Sequence, residues 1–288
     1  MIVQTLDDKR HCLGVYHDGK LIYECDEFDF NAITATWNYN PVFQQKPATI
    51  ASLLVQNKSL MEVCPEYLKT RWETISARLQ AFHKSFTTAK VSLNVNCFYD
   101  IVPERFLLEY CELKSQITKH VIDNNSIPSN YDFLRELSAF AHDIKQNKLN
   151  IDYRRIARDS HKLKVKNFIN KNMKSSPHVS YNIFGTKTGR LTTKKGFFPI
   201  MTLDADYRKI VKPNNDYFVE LDYNAAELRV LLALAGKEQP DDDIHQWNAE
   251  AVYGGLVTRD QAKKGIFSWL YNSRAKDALA EKMYDREL

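Results

Sequence analysis

The sequence predicts an α+β fold, and three observations support this prediction. Residues 1–30 alternate apolar and polar side chains between short turns, which is typical of a β meander, and Asp18-Gly19 is its clearest hairpin turn. Four later segments repeat apolar side chains every three or four residues, as helices do. These segments are residues 65–86, 102–122, 130–147 and 151–172. Residues 217–223 (YFVELDY) are rich in aromatic and β-branched side chains, which favours a buried strand.

Composition narrows the class of protein. The chain has 288 residues, of which 44% are hydrophobic and 26% charged, and this excludes a disordered chain, a collagen-like repeat and a disulfide scaffold. Its five cysteines are scattered without a CxxC pair or a histidine cluster, so no zinc site is predicted. No segment has the roughly 18 consecutive apolar residues of a membrane span, and the first residues lack the apolar core of a signal peptide. We therefore expect a cytoplasmic protein without a membrane partner.

The net charge of +4 is distributed unevenly along the chain. Residues 145–212 contain 17 lysines and arginines and four acidic residues, a local balance of +13, so the other 220 residues carry −9. A basic block of this length is typical of a surface that binds a polyanion, because phosphates that bind it release their counterions. The alternative is a solvated basic surface that binds no partner.

The last third of the chain contains the clearest helix signals. Residues 225–236 have an apolar helical pattern that ends at a glycine. Asp243 is a good N-cap for the helix that follows it. Thr258 and Gln261 have the spacing of a capping box, which predicts a helix over residues 259–271.

Four side chains recur every four residues along this last helix, and they are Arg259, Lys263, Phe267 and Tyr271. Each step of four residues turns the helix by ~400°, so the four lie along one stripe. Two cations followed by two rings suit a nucleoside triphosphate, because the cations pair with phosphates and the rings pack against sugar and base. The alternative is an amphipathic helix with solvated cations and buried rings.

Two carboxylates lie near the start of the helix predicted at 225–236. Asp222 ends the predicted strand, and Glu227 lies in the first turns of the helix. Phosphoryl-transfer enzymes often hold a divalent metal at such a sheet edge. The alternative for Asp222 is a helix cap.

Four elements, in order along the chain, resemble the polymerase domain of family A DNA polymerases. Residues 188–193 (TGRLTT) resemble the family's TGRLSS element, and residues 222–229 (DYNAAELR) resemble motif A, DYSQIELR. Residues 243–245 (DIH) resemble the start of a fingers helix, and the spacing from Arg259 to Tyr271 is similar to motif B. The motifs cover roughly the C-terminal third of the chain, and the helical segment upstream corresponds to the thumb by order alone.

The resemblance implies roles for the matching residues. Asp222 and Lys263 would be catalytic, and Asp222 with the backbone carbonyl of Tyr223 would bind two Mg²⁺ ions. Glu227 would exclude a ribose 2′-hydroxyl, which implies dNTP substrates. The nucleotide-binding residues would be Tyr223, Glu227, His245, Arg259, Lys263, Phe267 and Tyr271. Primer–template DNA would be contacted by Thr188, Arg190 and Arg229, and Arg229 would also support the active-site carboxylates.

The resemblance also implies a right-hand polymerase architecture, with a helical thumb, an incomplete antiparallel palm and helical fingers after the N-terminal meander. The expected segments are the β-rich residues 1–60, the thumb-like residues 61–175, the first part of the palm at 176–240 and the fingers helices at 241–288.

Three departures from the family pattern are visible. Asn272 stands where the family has a glycine, a mild change because asparagine tolerates unusual backbone angles. Residues 196–200 (GFFPI) replace an NLQNIP-like stretch, which removes expected template-strand contacts. The acidic residues at 26–29 have no partner carboxylates further on, so no 3′–5′ exonuclease is expected.

The largest departure concerns motif C, an HDE-like hairpin that supplies the second metal-binding aspartate of the family. Residues 272–288 contain no such hairpin. We therefore expect this chain alone to be inactive, with motif C either on a second polypeptide or removed by an intron or a truncation. The short length of the chain fits a T7-type phage origin, and we would then expect the protein in the host cytoplasm.

Two other classes of function remain as alternatives. One is a catalytically inactive, polymerase-derived DNA-binding protein, which the intact motif A and B side chains disfavour. The other is a fragment of a single-subunit RNA polymerase, which shares the arginine–lysine spacing. Phe267 and Glu227 disfavour it, since DNA enzymes use these residue types at those positions.

Overall fold

The computed structural model describes residues 1–8, 11–23, 28–43, 48–93, 95–173 and 176–284. The chain divides into two compact units, which we name unit 1 (Met1–Asn215) and unit 2 (Asp216–Leu288). Helices and small, mostly antiparallel sheets fit the predicted α+β class. The right-hand architecture and its four segments stay predictions. In the described ranges, no helix is long and apolar enough to cross a membrane.

The predicted β meander is present at the start of unit 1. Strands β1 (Gln4–Asp8), β2 (His11–His17) and β3 (Lys20–Ile22) form an antiparallel sheet in that order. Asp18 and Gly19 have φ values of 45° and 77°, and these positive angles close the β2–β3 hairpin as the Asp-Gly pair predicts. Two stretches of this region lie outside the described residues: 9–10 and 24–27, the latter including the Asp26-Glu27 pair considered for an exonuclease.

A second small sheet connects the N-terminal region to the helices. Strands β4 (Ala35–Thr36) and β5 (Thr49–Ile50) pair in parallel, and helix α1 (Ala51–Leu54) follows directly. The Tyr131 hydroxyl accepts a backbone hydrogen bond of 2.7 Å from the last residue of β5. Because Tyr131 is the first residue of helix α5 (Tyr131–Gln146), this bond fixes the start of α5 on the sheet.

The helices predicted at 65–86, 102–122 and 130–147 are all confirmed. Helix α2 (Glu66–Thr88) precedes the short helix α3 (Phe98–Ile101) and packs against α4 (Glu104–Asn124). Prolines stand at the N-caps of α2 and α4, where a missing N–H costs nothing. The fully buried side chains of this core are Ile75, Phe106, Leu107, Leu113 and Ile117. Each buried side chain of this kind contributes about 1.5–3 kcal/mol of transfer free energy.

The prediction of one helix over 151–172 is wrong. The structure has two helices, α6 (Arg154–Ala157) and α7 (Leu163–Asn172), with turns between them. The N–H of Ser160 donates to the carbonyl of Ala157, three residues back, at 3.0 Å. Asp and Ser compete with helical bonding through their short polar side chains, which explains the interruption at this point of a basic, otherwise helical sequence.

Two antiparallel pairs of short strands complete unit 1. Strand β6 (Asn150–Ile151) pairs with β9 (Val211–Lys212), and β7 (Tyr181–Asn182) pairs with β8 (Thr192–Thr193). The core beside these strands contains the fully buried side chains of Ile156, Phe198 and Ile210.

The prediction of a buried strand at residues 217–223 is wrong. The segment is irregular, and in the described chain its backbone makes no hydrogen bond to another segment. Its exposed fractions are 80% for Tyr217, 63% for Phe218, 81% for Val219 and 90% for Leu221. The sequence has high β-propensity, but that propensity mainly reflects packing against a neighbouring strand, and no strand of the described residues pairs with this segment.

Unit 2 is otherwise helical. Its helices are α8 (Ala226–Leu234), α9 (Ile244–Ala251), α10 (Arg259–Tyr271) and α11 (Ala278–Met283). The first three confirm predicted helices, and the Thr258–Gln261 capping box is formed in full. Trp269 is buried and donates its Nε1–H to Glu281 Oε2 at 2.8 Å, which links α10 to α11.

Candidate functional site

Helix α10 has one buried face and one face that carries the predicted stripe. The buried side chains are Ala262, Ile266 and Trp269. On the stripe, Arg259, Lys263 and Tyr271 are exposed and Phe267 is half-buried. The Phe267 and Tyr271 rings stack with centroids 5.8 Å apart and an interplanar angle of 7°. The helix therefore presents two cations at its N-terminal end, where its dipole also favours anions, and a ring pair towards its C-terminal end.

Asp243 connects the first cation of the stripe to helix α9. Its Oδ1 caps α9 by accepting the N–H groups of His245 and Gln246 at 2.8 and 3.0 Å. Its Oδ2 accepts a hydrogen bond of 2.7 Å from Nη2 of Arg259. The Arg259 guanidinium holds the pKa of the Asp243 carboxyl well below its usual range, and the two capping N–H groups act in the same direction.

Asn224 links the motif A segment to Asp243 and to the start of α9. Its Oδ1 accepts the N–H of Ile244 at 3.0 Å, and its Nδ2 donates to Asp243 Oδ2 at 3.2 Å. The chain just after Asp222 is therefore fixed to the N-terminus of α9, although the residues before it are exposed and irregular.

His245 lies beneath the stripe rather than on it. Its side chain is 3% exposed, and its ring meets Phe267 edge-on with centroids 5.6 Å apart. Burial lowers the pKa of His245, and the positive charge of Lys263 lowers it further, so the imidazole is neutral at neutral pH. Its Nδ1 is buried and has no hydrogen-bond partner among the described residues. A contact with a triphosphate stays a prediction, and such a contact would use a neutral ring.

The carboxylates implied for metal binding do not form a cluster. Asp222 and Tyr223 are exposed, and Glu227 is half-buried in the first turn of α8. Among the residues that the structure describes, no group of three His, Cys, Asp or Glu side chains could hold a metal ion. A single carboxylate is a poor site for two divalent ions, so the described residues do not fit the implied magnesium pair by themselves.

Arg229 makes three hydrogen bonds to backbone carbonyl groups. Its Nε donates to Asn224 O at 2.9 Å, its Nη1 to Pro240 O at 2.8 Å and its Nη2 to Asp242 O at 2.9 Å. The guanidinium thus holds the connection between α8 and α9 against the motif A segment. Its contact with DNA stays a prediction, and in the structure its Nε, Nη1 and Nη2 donate to these backbone carbonyl groups.

The TGR element lies in unit 1, in the loop between β7 and β8. Thr188 and Arg190 are both exposed there. The loop is held at its base because a Cβ on Gly185 would lie 1.9 Å from Thr192 Oγ1, so only glycine allows the two sides to approach. The Thr186 hydroxyl donates to the carbonyl of Arg190 at 3.0 Å. The two sides of the loop are therefore in contact at its base, and the contacts of Thr188 and Arg190 with DNA remain predictions.

Sequence reasoning missed two features of this site. It gave Asp243 only a capping role, whereas its second oxygen binds Arg259, 16 residues away. It also gave no role to Asn224, which joins motif A to α9. Neither link has a sequence signal, because both depend on how the helices of unit 2 pack.

Enzymes that bind nucleotides typically combine two neighbouring cations, a pair of stacked rings and a nearby acidic motif. The model of DNA polymerase family A matches residues 65–284. This match covers more than half of the chain, so the chain belongs to DNA polymerase family A and has a DNA polymerase-related function. The predicted family is confirmed, and the match extends well upstream of the motifs. Neither curated proteins nor solved structures gave a match.

Proposed function

We propose that this chain is part of a DNA-directed DNA polymerase, which adds dNMP to a primer 3′ end on a template. The main support for this proposal is the stripe on α10. Its two cations would bind the triphosphate of a dNTP, and the stacked Phe267 and Tyr271 rings would pack against sugar and base. Family membership supports the same reaction.

Binding of a triphosphate requires a change at Arg259. In the structure its guanidinium is paired with Asp243, 2.7 Å away, so a phosphate must compete with this carboxylate. Lys263 forms no ion pair with a described carboxylate and is available without such competition. We therefore expect Lys263 to contribute more to the affinity for a dNTP than Arg259 does.

We further propose that the palm is completed by a strand from outside the described residues, on a second polypeptide or a further segment. The apolar segment 217–223 supports this, because its exposed side chains and unpaired backbone groups form a template for an added strand. Such a strand, carrying a motif C carboxylate opposite Asp222, would make a site that fits two Mg²⁺ ions.

The proposed nucleotide site is tested by titrating the full chain with dATP in a calorimeter. Lys263→Ala should weaken binding by about ten- to a hundredfold, since a charge-assisted hydrogen bond contributes about 1.5–3 kcal/mol. Asp243→Asn should tighten binding, because it releases Arg259 and removes a carboxylate that repels phosphate.

Lys264→Ala is the matched control. It removes the same charge from the next residue of the same helix, off the stripe, and should leave dATP affinity unchanged. Equal losses for Lys263→Ala and Lys264→Ala would show that only net charge matters and would contradict the proposed site.

The alternative of an inactive DNA-binding protein is favoured by one observation, the Asp243–Arg259 pair that occupies a cation of the stripe. The two functions differ in a primer-extension assay with Mg²⁺ and the partner polypeptide. A polymerase loses extension with Asp222→Ala while it keeps its affinity for duplex DNA. Robust extension by this chain alone would instead exclude the proposed second polypeptide.

A further inference from the structure

Unit 1 contains a long cleft at the base of the β7–β8 hairpin. Two cavities of about 690 and 1270 Å³ adjoin there and share Lys148, Met173 and Pro177 as lining residues. The N-terminal region forms one wall, and the C-terminal half of α5 and the hairpin base form the other. Pockets for small molecules are typically about 300–1,000 Å³, so the larger cavity alone exceeds that range and the cleft suits an extended ligand.

One wall of this cleft is positively charged. Lys145, Lys148 and Lys194 line it, and none of them pairs with a described carboxylate. The surrounding protein lowers the pKa of Lys194, and the positive charge of Lys145 lowers it further. An anion bound between these two ammonium groups would relieve their repulsion, which makes the wall a favourable place for phosphate.

The carboxylate that shares this lining does not neutralise the lysines. Asp7 accepts hydrogen bonds from Asn40 Nδ2 at 2.6 Å and from the Thr5 hydroxyl at 2.8 Å, one on each oxygen. Both of its oxygens therefore accept hydrogen bonds from neutral donors and keep their negative charge. The three lysines outnumber this one carboxylate, so the described lining keeps an excess of positive charge.

Three aromatic rings line the same cleft. Tyr39, Tyr181 and Phe197 belong to its lining, and each residue is half-buried. Such rings bind the faces of nucleic-acid bases, and those faces are accessible only when the bases are unstacked. Cations that follow a backbone, together with rings that take bases, are the two components of single-strand binding sites.

We propose that this cleft binds a single-stranded segment of DNA. Lys145 and Lys194 contact its phosphates, and Tyr181 and Phe197 stack on its bases. The site lies wholly within unit 1 and does not rest on the nucleotide site of unit 2, so either can fail without the other. Duplex DNA does not use the cleft, because its base faces are already covered.

The test measures binding of the full chain to a fluorescent oligo-dT of about 12 nucleotides by anisotropy over a range of salt. The double variant Lys145→Ala/Lys194→Ala should weaken binding at least fivefold. It should also reduce the slope of log affinity against log salt by roughly 1.4, since each phosphate contact of a single strand contributes about 0.7. Its melting temperature, measured alongside, shows that it folds.

The control Lys84→Ala/Lys119→Ala removes two exposed lysines of α2 and α4 that lie outside the basic block and do not line the cleft. It should keep the wild-type slope. An equal loss in both double variants, or none in the cleft variant, would overturn the proposal.

The rings give an independent readout. Tyr181→Leu/Phe197→Leu should weaken binding of oligo-dT severalfold and leave the affinity for a blunt duplex unchanged, whereas Tyr67→Leu, an exposed tyrosine on α2, should change neither. Equal weakening of single-stranded and duplex DNA by the ring variant would exclude a single-strand site in the cleft.

Discussion

Two segments beside the motifs that resemble family A elements have opposite outcomes in the structure. The TGR loop is bounded by strands β7 and β8, which pair although each has only two residues. Residues 217–223 have a much stronger strand sequence, yet they are irregular and exposed. The difference is that β7 has a partner eleven residues further along the same hairpin, whereas 217–223 has none among the described residues. A partner, more than propensity, decides whether a strand forms.

The largest expected effect is on the free energy of unfolding, and it is seen by truncating one phenylalanine from each region. Phe198 follows the hairpin and is fully buried, whereas Phe218 is 63% exposed. Phe198→Ala should lower the free energy of unfolding of unit 1 by about 3–5 kcal/mol, and Phe218→Ala should change stability by no more than about 0.5 kcal/mol. Urea denaturation measures both. A large loss for Phe218→Ala would mean that the 217–223 segment is buried in the isolated chain.

A smaller effect is expected at the closure of the hairpin. Gly185→Ala places a Cβ against Thr192 Oγ1, and overpacking of this kind costs about 1–3 kcal/mol. Adding Thr192→Ala removes the nearest atom and should recover part of the loss, which a double-mutant cycle measures. If the two substitutions are additive, the close approach of the two sides does not stabilise the loop.

The smallest expected effect on stability concerns Asp243, which is hydrogen-bonded to Asn224 just after the unpaired segment 217–223. The pKa of Asp243 is lowered in the folded state, so its contribution to stability is complete above the unfolded pKa of about 4 and is lost as the pH falls below that value. Because the pair with Arg259 is partly exposed, this contribution is about 1 kcal/mol or less.

Asp243→Asn keeps an N-cap and removes the charge. Its melting temperature should lie slightly below that of the wild type at pH 7, and the two should converge in acid. A difference that does not narrow as the pH falls from 5 to 2 would show that the effect comes from packing and not from the ion pair.

Local signals in the sequence predicted most of the fold. The Asp18-Gly19 turn and the Thr258–Gln261 capping box were both identified correctly, because their geometry is determined by adjacent residues. The break between α6 and α7 has a local signal at Asp159 and Ser160, and the apolar periodicity on either side obscured it.

The site was predictable only in part. The stripe on α10 follows from helical spacing, and the family followed from four motifs in order. The Asp243–Arg259 pair, the burial of His245 and the exposure of residues 217–223 depend on contacts between distant segments. The cleft of unit 1 combines residues from the N-terminal region, α5 and the hairpin, and no motif joins them.

The two hydrogen bonds of Asn224 have a mechanical consequence for unit 2. Asn224 is two residues from Asp222, and its side chain is hydrogen-bonded to the start of α9. Helix α9 packs against α10. A rotation of the α9–α10 pair would therefore pull directly on the backbone that carries Asp222. The cations proposed to bind the triphosphate and the carboxylate proposed to bind the metal are therefore connected through Asn224 and the start of α9.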